Sequence, residues 1–179
     1  MSNLKEEYIK KIREEIKAEM KLDNVYAVPT LSKIIVNSGV SAAVSNPDAL
    51  NEMKEIISLI TSQAPLITKA KYSISNFHIR KGMNLGVMVT LRNDRMWNFY
   101  DKLVKIVIPR FKDFRGLSLS AFDKSGNYNL GFSEHTVFPE VAQMYVDRVK
   151  SLQVTIVTTA KDKESAEILF KHLGFPLEK

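Results

Sequence analysis

Leu4, Tyr8, Ile12, Ile16 and Met20 recur every four residues with Glu and Lys between them. That spacing predicts an amphipathic N-terminal helix within residues 1–22, laced with Glu–Lys pairs one turn apart. Asp23-Asn24 and then Pro29 end it. Leu31 to Ser38 is rich in β-branched residues and stops at Gly39, which reads as a strand. Asn46-Pro47-Asp48 offers a cap, a first-turn proline and an acid at the positive helix end. Leu50, Met53, Ile56, Ile57 and Ile60 then form the apolar stripe of a second helix. A short strand, Leu66 to Ala70, and a longer one, Leu85 to Arg92, flank a polar basic loop that runs through Gly82.

A third helix begins near Asn93 or Asp94, buries Met96, Phe99, Tyr100, Leu103, Val104 and Val107, and ends or kinks at Pro109. Arg110 to Gly116 reads as an extended loop. Ser120–Phe122 and Tyr128–Phe132 form a hairpin around the turn Ser125-Gly126-Asn127. Leu152 to Thr159 is a β-branched strand, and Asp162 caps a last helix that reaches His172 and stops at Gly174 before Pro176. The order is α+β: an antiparallel sheet with helices packed on one face, split βαβ-like, plus the N-terminal helix. Without repeats, low-complexity tracts or linkers, the expectation is a single domain over residues 1–179 with an N-terminal helical extension.

Composition changes this picture in three ways. Hydrophobic residues make up 45% of the 179, enough for a core that needs no metal or disulfide staple. Cysteine is absent, which excludes disulfides, thiolate metal sites and a cysteine nucleophile and suits a reducing cytosol. The formal net charge is +6, which favours polyanionic partners. No Asp or Glu occurs from Ile56 to Asn93 or from Asn24 to Pro47, so the positive field belongs to the first half of the chain. No apolar run approaches the roughly 20 residues of a spanning helix, and the N-terminus lacks a signal-like stretch. A soluble, unexported protein with no membrane partner is expected.

If helices cover one sheet face the other is free for a ligand, and alternation along the strands shows which side chains that outer face carries. On the first strand Ile34 and Val36 point one way and Lys33, Ile35 and Asn37 the other. On the later strand Leu85, Val87, Val89 and Leu91 form an apolar row opposite Gly86, Met88, Thr90 and Arg92. Lys and Arg neutralise phosphate, while Asn and Thr bond sugar hydroxyls and base edges. A plain solvated sheet face accounts for the same alternation equally well. The loop from Lys69 to Gly82 interleaves Lys69, Lys71, Arg80 and Lys81 with Tyr72, Phe77 and His78, a mixture suited to phosphate pairing and base stacking, or to a mobile basic surface. Arg110, Lys112 and Arg115 around Phe111 and Phe114 suit phosphate too, or charges snorkelling over a buried Phe pair.

Catalysis finds little support. His78, His135 and His172 share no metal-ligand spacing, and there is no HExxH, glycine-rich phosphate loop or GxSxG elbow. Glu134-His135 with Pro139-Glu140 reads as an ordinary hairpin edge. No catalytic residue, metal or cofactor is expected. Two rivals to RNA binding stand beside it: an RNA-processing enzyme on a similar sheet, and a basic module that docks an acidic protein.

A series of segments carries a resemblance. Pro29-Thr30-Leu31-Ser32-Lys33-Ile34-Ile35-Val36-Asn37, Pro65-Leu66-Ile67-Thr68-Lys69-Ala70-Lys71, Phe77-His78-Ile79-Arg80-Lys81-Gly82-Met83 and Val89-Thr90-Leu91-Arg92 occur in order. Pro109-Arg110-Phe111-Lys112-Asp113-Phe114-Arg115-Gly116-Leu117, Gly126-Asn127-Tyr128, Phe138-Pro139-Glu140, Thr155 to Lys161 and Gly174-Phe175-Pro176 complete it. The chain resembles the bacterial large-subunit ribosomal protein L-five family along nearly its whole length.

The resemblance implies attachment of 5S rRNA in the central protuberance through Lys33, Asn37, Gln63 and Thr90; Arg92, which alternation puts on the same face as Thr90, is expected to join them. It implies that the loop carrying Lys69, Lys71, Tyr72, Ser73, Asn76, Phe77, His78, Arg80 and Lys81 reaches the elbow of P-site tRNA. It also implies a bridge to the small-subunit protein S-thirteen near Arg110, Lys112 and Arg115. Partners would be 5S rRNA, 23S rRNA, tRNA and other ribosomal proteins in cytoplasmic ribosomes, without homo-oligomerisation. Two departures concern loop shape: Ser38-Gly39-Val40-Ser41 stands where the family has Met, Gly, Val, Gly, and Ser62 stands where Gly is usual.

Overall fold

In the computed structural model, residues 3–44, 46–111, 116–142 and 150–178 are described. The N-terminal segment is helical from Asn3 to Glu19, as α1 (Asn3–Glu7), a π-helical turn (Tyr8–Ile12) and α2 (Arg13–Glu19). The wider turn has a cause in the four-residue repeat. In a 3.6-residue helix such a repeat drifts by about 40° at every step, so Leu4 and Ile16 would leave the same face. Widening one turn keeps Leu4, Tyr8, Ile12 and Ile16 all buried.

Five strands follow: β1 (Leu31–Gly39), β2 (Leu66–Lys69), β3 (Asn84–Leu91), β4 (Tyr128–Phe132) and β5 (Leu152–Thr158). They form one antiparallel sheet in the order β2-β3-β1-β5-β4. Helix α3 (Asp48–Thr61) connects β1 to β2, and β3 is inserted between those two strands. That is the split βαβ arrangement, and the α+β expectation holds. Helices α4 (Asn93–Lys102) and α5 (Lys163–His172) complete the set.

The chain divides into two compact units. The first comprises Met1–Ile34, Arg92–Leu130 and Thr155–Lys179. Here α1 packs on α4 and α2 on α5, with the Tyr8 ring 5.2 Å from Trp97 and the Tyr8 hydroxyl donating to the Pro29 carbonyl. Its centre is aromatic: Tyr100, Phe122, Tyr128, Phe170 and Phe175 are all buried and share ring contacts. Burial, with Glu178 nearby, pushes the Tyr128 phenol up to about 12, and its hydroxyl donates to the Ser118 carbonyl. The Asp162 side chain accepts from Ser165 N–H at the start of α5, and this bond holds its carboxyl below the usual range.

The second unit comprises Ile35–Leu91 and Gly131–Val154. Helix α3 lies against β3 and β2 and buries Ala49, Leu50, Met53, Ile56, Ile57 and Ile60. The Asn46 side chain accepts from Asp48 N–H at its start. Its last turn passes into Ser62, an exposed residue at φ +51°, which explains why glycine suits that position. Ser62→Gly is therefore expected to raise stability by about 0.5–1 kcal/mol, the left-handed penalty less the extra backbone entropy of glycine. Urea unfolding midpoints check this, and a lowered midpoint would show that the serine hydroxyl is needed.

The other departure, Ser38, is buried, and its hydroxyl donates to the Ser151 carbonyl at 2.7 Å. Two expectations change. The hairpin arm Ser120–Phe122 is a 3-10 turn (Leu119–Ala121) and a single bridge, Phe122 to Tyr128, because the Ser118 side chain accepts from Ser120 N–H and curls the backbone there; the ladder of β4 is with β5. Beyond Lys102 the third helix continues as a π-helical turn (Leu103–Val107) into a 3-10 turn (Ile108–Arg110). Pro109 has no N–H to give a regular helix and its ring displaces the preceding turn, so the backbone there departs from the α winding.

Candidate nucleic-acid interface

In the second unit the sheet has two unlike faces. Val36, Ser38, Val87, Val89 and Leu91 are buried on one side. On the other, Ile35, Asn37, Met88 and Thr90 are half-buried, and β2 adds Leu66 and Thr68 opposite Met88 and Gly86. Leu66, on the edge strand β2, is 67% exposed on the same side as the half-buried Met88. Gly86 keeps this face flat, since a Cβ there would lie 2.7 Å from Thr68 Oγ1 and 2.9 Å from the Ser38 carbonyl oxygen.

Asn37 sits on β1 and Thr90 on β3, neighbouring strands. Gln63 comes from the turn after α3, where Thr61 Oγ1 donates to the Ile57 carbonyl and also reaches the Gln63 carbonyl. Its Nε2 donates to the Thr90 backbone carbonyl at 3.2 Å. The structure thus brings Gln63 beside Thr90, a pairing of residues 27 positions apart. Lys33 and Arg92 belong to the first unit; within β1, alternation keeps Lys33 on the side of Ile35 and Asn37, while Arg92 is exposed immediately after β3. Sequence reasoning passed over Gly131, Ser133, Ser151 and Gln153, all exposed at the adjoining ends of β4 and β5. Period-two burial along those strands was the available signal.

The basic loop is a framed hairpin tip. Ala70 N–H donates to the Met83 carbonyl and Gly82 N–H to the Ala70 carbonyl, with Gly82 at φ +90°. Farther out Ile74 and Ile79 exchange two backbone bonds, and Lys81 N–H donates to Ser73 Oγ. Ser75–Phe77 forms a 3-10 turn that ends in His78 at φ +55°. This frame turns side chains outward: Lys69, Lys71, Tyr72, Ser73, Asn76, Phe77, His78, Arg80 and Lys81 are all exposed. Tyr72 at 79% and Phe77 at 67% contribute nothing to a core, so their rings are available for stacking. Arg110 is exposed at the end of its 3-10 turn, and Lys112 and Arg115 lie outside the described residues.

Glu134 and His135 each have other partners. His135 is fully buried, its Nδ1 accepts from Lys150 N–H, and burial holds its pKa below the ordinary value. Glu134 instead accepts from Thr136 Oγ1. Among the described residues no three His, Asp or Glu side chains are grouped to hold a metal, and no helix is long and apolar enough to cross a membrane.

Comparison with known proteins decides the family. Residues 24–80 match the family described as ribosomal protein L5, and residues 84–177 match the C-terminus of that same ribosomal family. The chain is 45% identical over 175 residues to a large ribosomal subunit protein uL5 of Anaeromyxobacter sp. (strain Fw109-5), covering 98% of this chain and 97% of that one. The chain belongs to the ribosomal protein L5 family. Over 179 residues it is also 45% identical to the proteins of that name from Dictyoglomus turgidum and Dictyoglomus thermophilum, each alignment spanning the whole of both chains. Members of the L5 family are structural ribosomal proteins rather than enzymes.

Proposed function

We propose that this protein is a structural constituent of the large ribosomal subunit, working in cytoplasmic ribosomes, that binds 5S rRNA and helps attach it in the central protuberance. The observation that carries the reading is the open sheet face of the second unit, where Asn37, Thr90 and the Gln63 amide that bonds the Thr90 carbonyl offer polar groups beside one another. Asn37, Gln63 and Thr90 hydrogen-bond sugar and base edges, while Lys33 and Arg92 neutralise phosphates. The framed basic loop reaches P-site tRNA, with Tyr72 and Phe77 supplying stacking surfaces. The 23S rRNA lies alongside, and Arg110 with Lys112 and Arg115 meets S-thirteen of the small subunit. Residues 1–179 act as a single RNA-binding domain.

Asn37→Ala is expected to weaken 5S rRNA binding by about 1–3 kcal/mol, the loss of hydrogen bonds buried in a complex. Filter binding of Asn37→Ala combined with Thr90→Ala tests the site. Wild-type affinity in that double variant refutes it.

A further inference from the structure

We propose that the open face holds a slot for a single unstacked nucleotide of the bound RNA, gripped by its base edge and ribose through Asn37 and Gln153 rather than by its phosphate. The proposal rests on the reading that this face binds RNA, and it adds the part of the RNA that enters. Three neighbouring strands, β1, β5 and β4, end together here. Their open-side residues at that end are Asn37 and Gly39, Ser151 and Gln153, Gly131 and Ser133, and these line an open cleft of about 400 Å³. Such a volume lies in the range of small-molecule sites.

The hollow has a simple origin. A Cβ built on Gly39 or Gly131 meets nothing within 4 Å, so two side chains are missing from a surface where their strand neighbours carry one. Below them Phe132 and Leu152 are buried, and the Ser38–Ser151 hydrogen bond ties β1 to β5. The floor is therefore fixed by the core.

The chemistry of the lining selects the ligand. Among the described residues no charged side chain lines the cleft; its polar groups are neutral amides and hydroxyls, which favour a base edge or ribose over a phosphate. Asn37, Ser133 and Gln153 make no side-chain hydrogen bond to another described residue, which leaves their polar atoms for a ligand. Each amide offers two donors and an acceptor, a match for the mixed edge of a nucleobase and for a 2′-hydroxyl. Recognition of RNA through splayed, unpaired bases needs a recess of this kind.

The test uses the full chain with 5S rRNA and, as a control, a fully paired RNA duplex of similar length. Gly131→Leu fills the hollow where space is free, and Gln153→Ala removes an exposed amide. Each variant is expected to weaken 5S rRNA binding about tenfold, as loss of one or two buried hydrogen bonds does. Duplex binding, salt dependence and melting temperature stay unchanged. Wild-type affinity in both variants overturns the slot, as does an equal loss on the duplex. Should Gly131→Leu fail to fold, Gln153→Ala alone decides. If these variants bind normally while Asn37→Ala with Thr90→Ala does not, the slot falls and the sheet-face reading stands. If all of them bind normally, both fall.

Discussion

Neutralising Lys69, Lys71, Arg80 and Lys81 together, each to glutamine, is expected to cut tRNA affinity on the order of a thousandfold near 0.1 M salt, with the loss fading towards 1 M. All four side chains are exposed on or beside the framed hairpin tip, in a stretch from Ile56 to Asn93 without any acid to offset them. Each cation that replaces condensed counterions contributes about 0.7–0.9 to the slope of log affinity against log salt, so four removals flatten it by about 3. The loop is held by backbone bonds between Ala70 and Met83 and between Ile74 and Ile79, which glutamine leaves in place. A salt titration of tRNA binding by wild type and variant, run beside 5S rRNA, checks this. An unaltered tRNA slope would remove the loop from phosphate contact, while an equal change on both RNAs would deny it any preference for tRNA.

Phe170→Ala is expected to destabilise the protein by about 3–5 kcal/mol. Phe170 is fully buried in the first unit. Its ring centroid lies 4.8 Å from Phe175, 5.4 Å from Phe122 in an edge-on arrangement and 5.7 Å from Tyr128. Deleting it loses both the transfer energy of the ring and the contacts of every neighbour around the void, because close-packed rings collapse only partly. Against a total stability of roughly 5–15 kcal/mol that is a large share. Chemical unfolding of Phe170→Ala and Phe170→Leu measures it, with leucine expected to cost less. A loss under about 1 kcal/mol would mean that the aromatic cluster repacks freely and is no core.

Much of the architecture was legible because it follows from local rules. Asp162 before Ser165 is a cap whose bond spans three residues, and Leu50, Met53, Ile56, Ile57 and Ile60 recur at helical spacing whatever lies opposite them. The two-residue alternation of β1 and β3 placed Asn37 and Thr90 on the face opposite the buried valines before any partner was known. The supposed hairpin arm at Ser120–Phe122 misled because a turn and β-prone residues do not reveal that the Ser118 side chain caps a 3-10 turn there, while the ladder of β4 comes from β5.

Sequence alone determined the segments β1, α3, β2 and β3, the two faces of β1 and β3 and the acid-free basic loop, since each depends on residues a few positions apart. Tertiary structure decided which strands lie side by side, that the Gln63 amide bonds the Thr90 carbonyl, and that Gly39 and Gly131 leave a hollow between β1, β5 and β4. Those contacts join segments far apart, as Ser38 and Ser151 are at 113 positions. Their geometry comes from packing the whole core at once, and no short window of sequence contains that information.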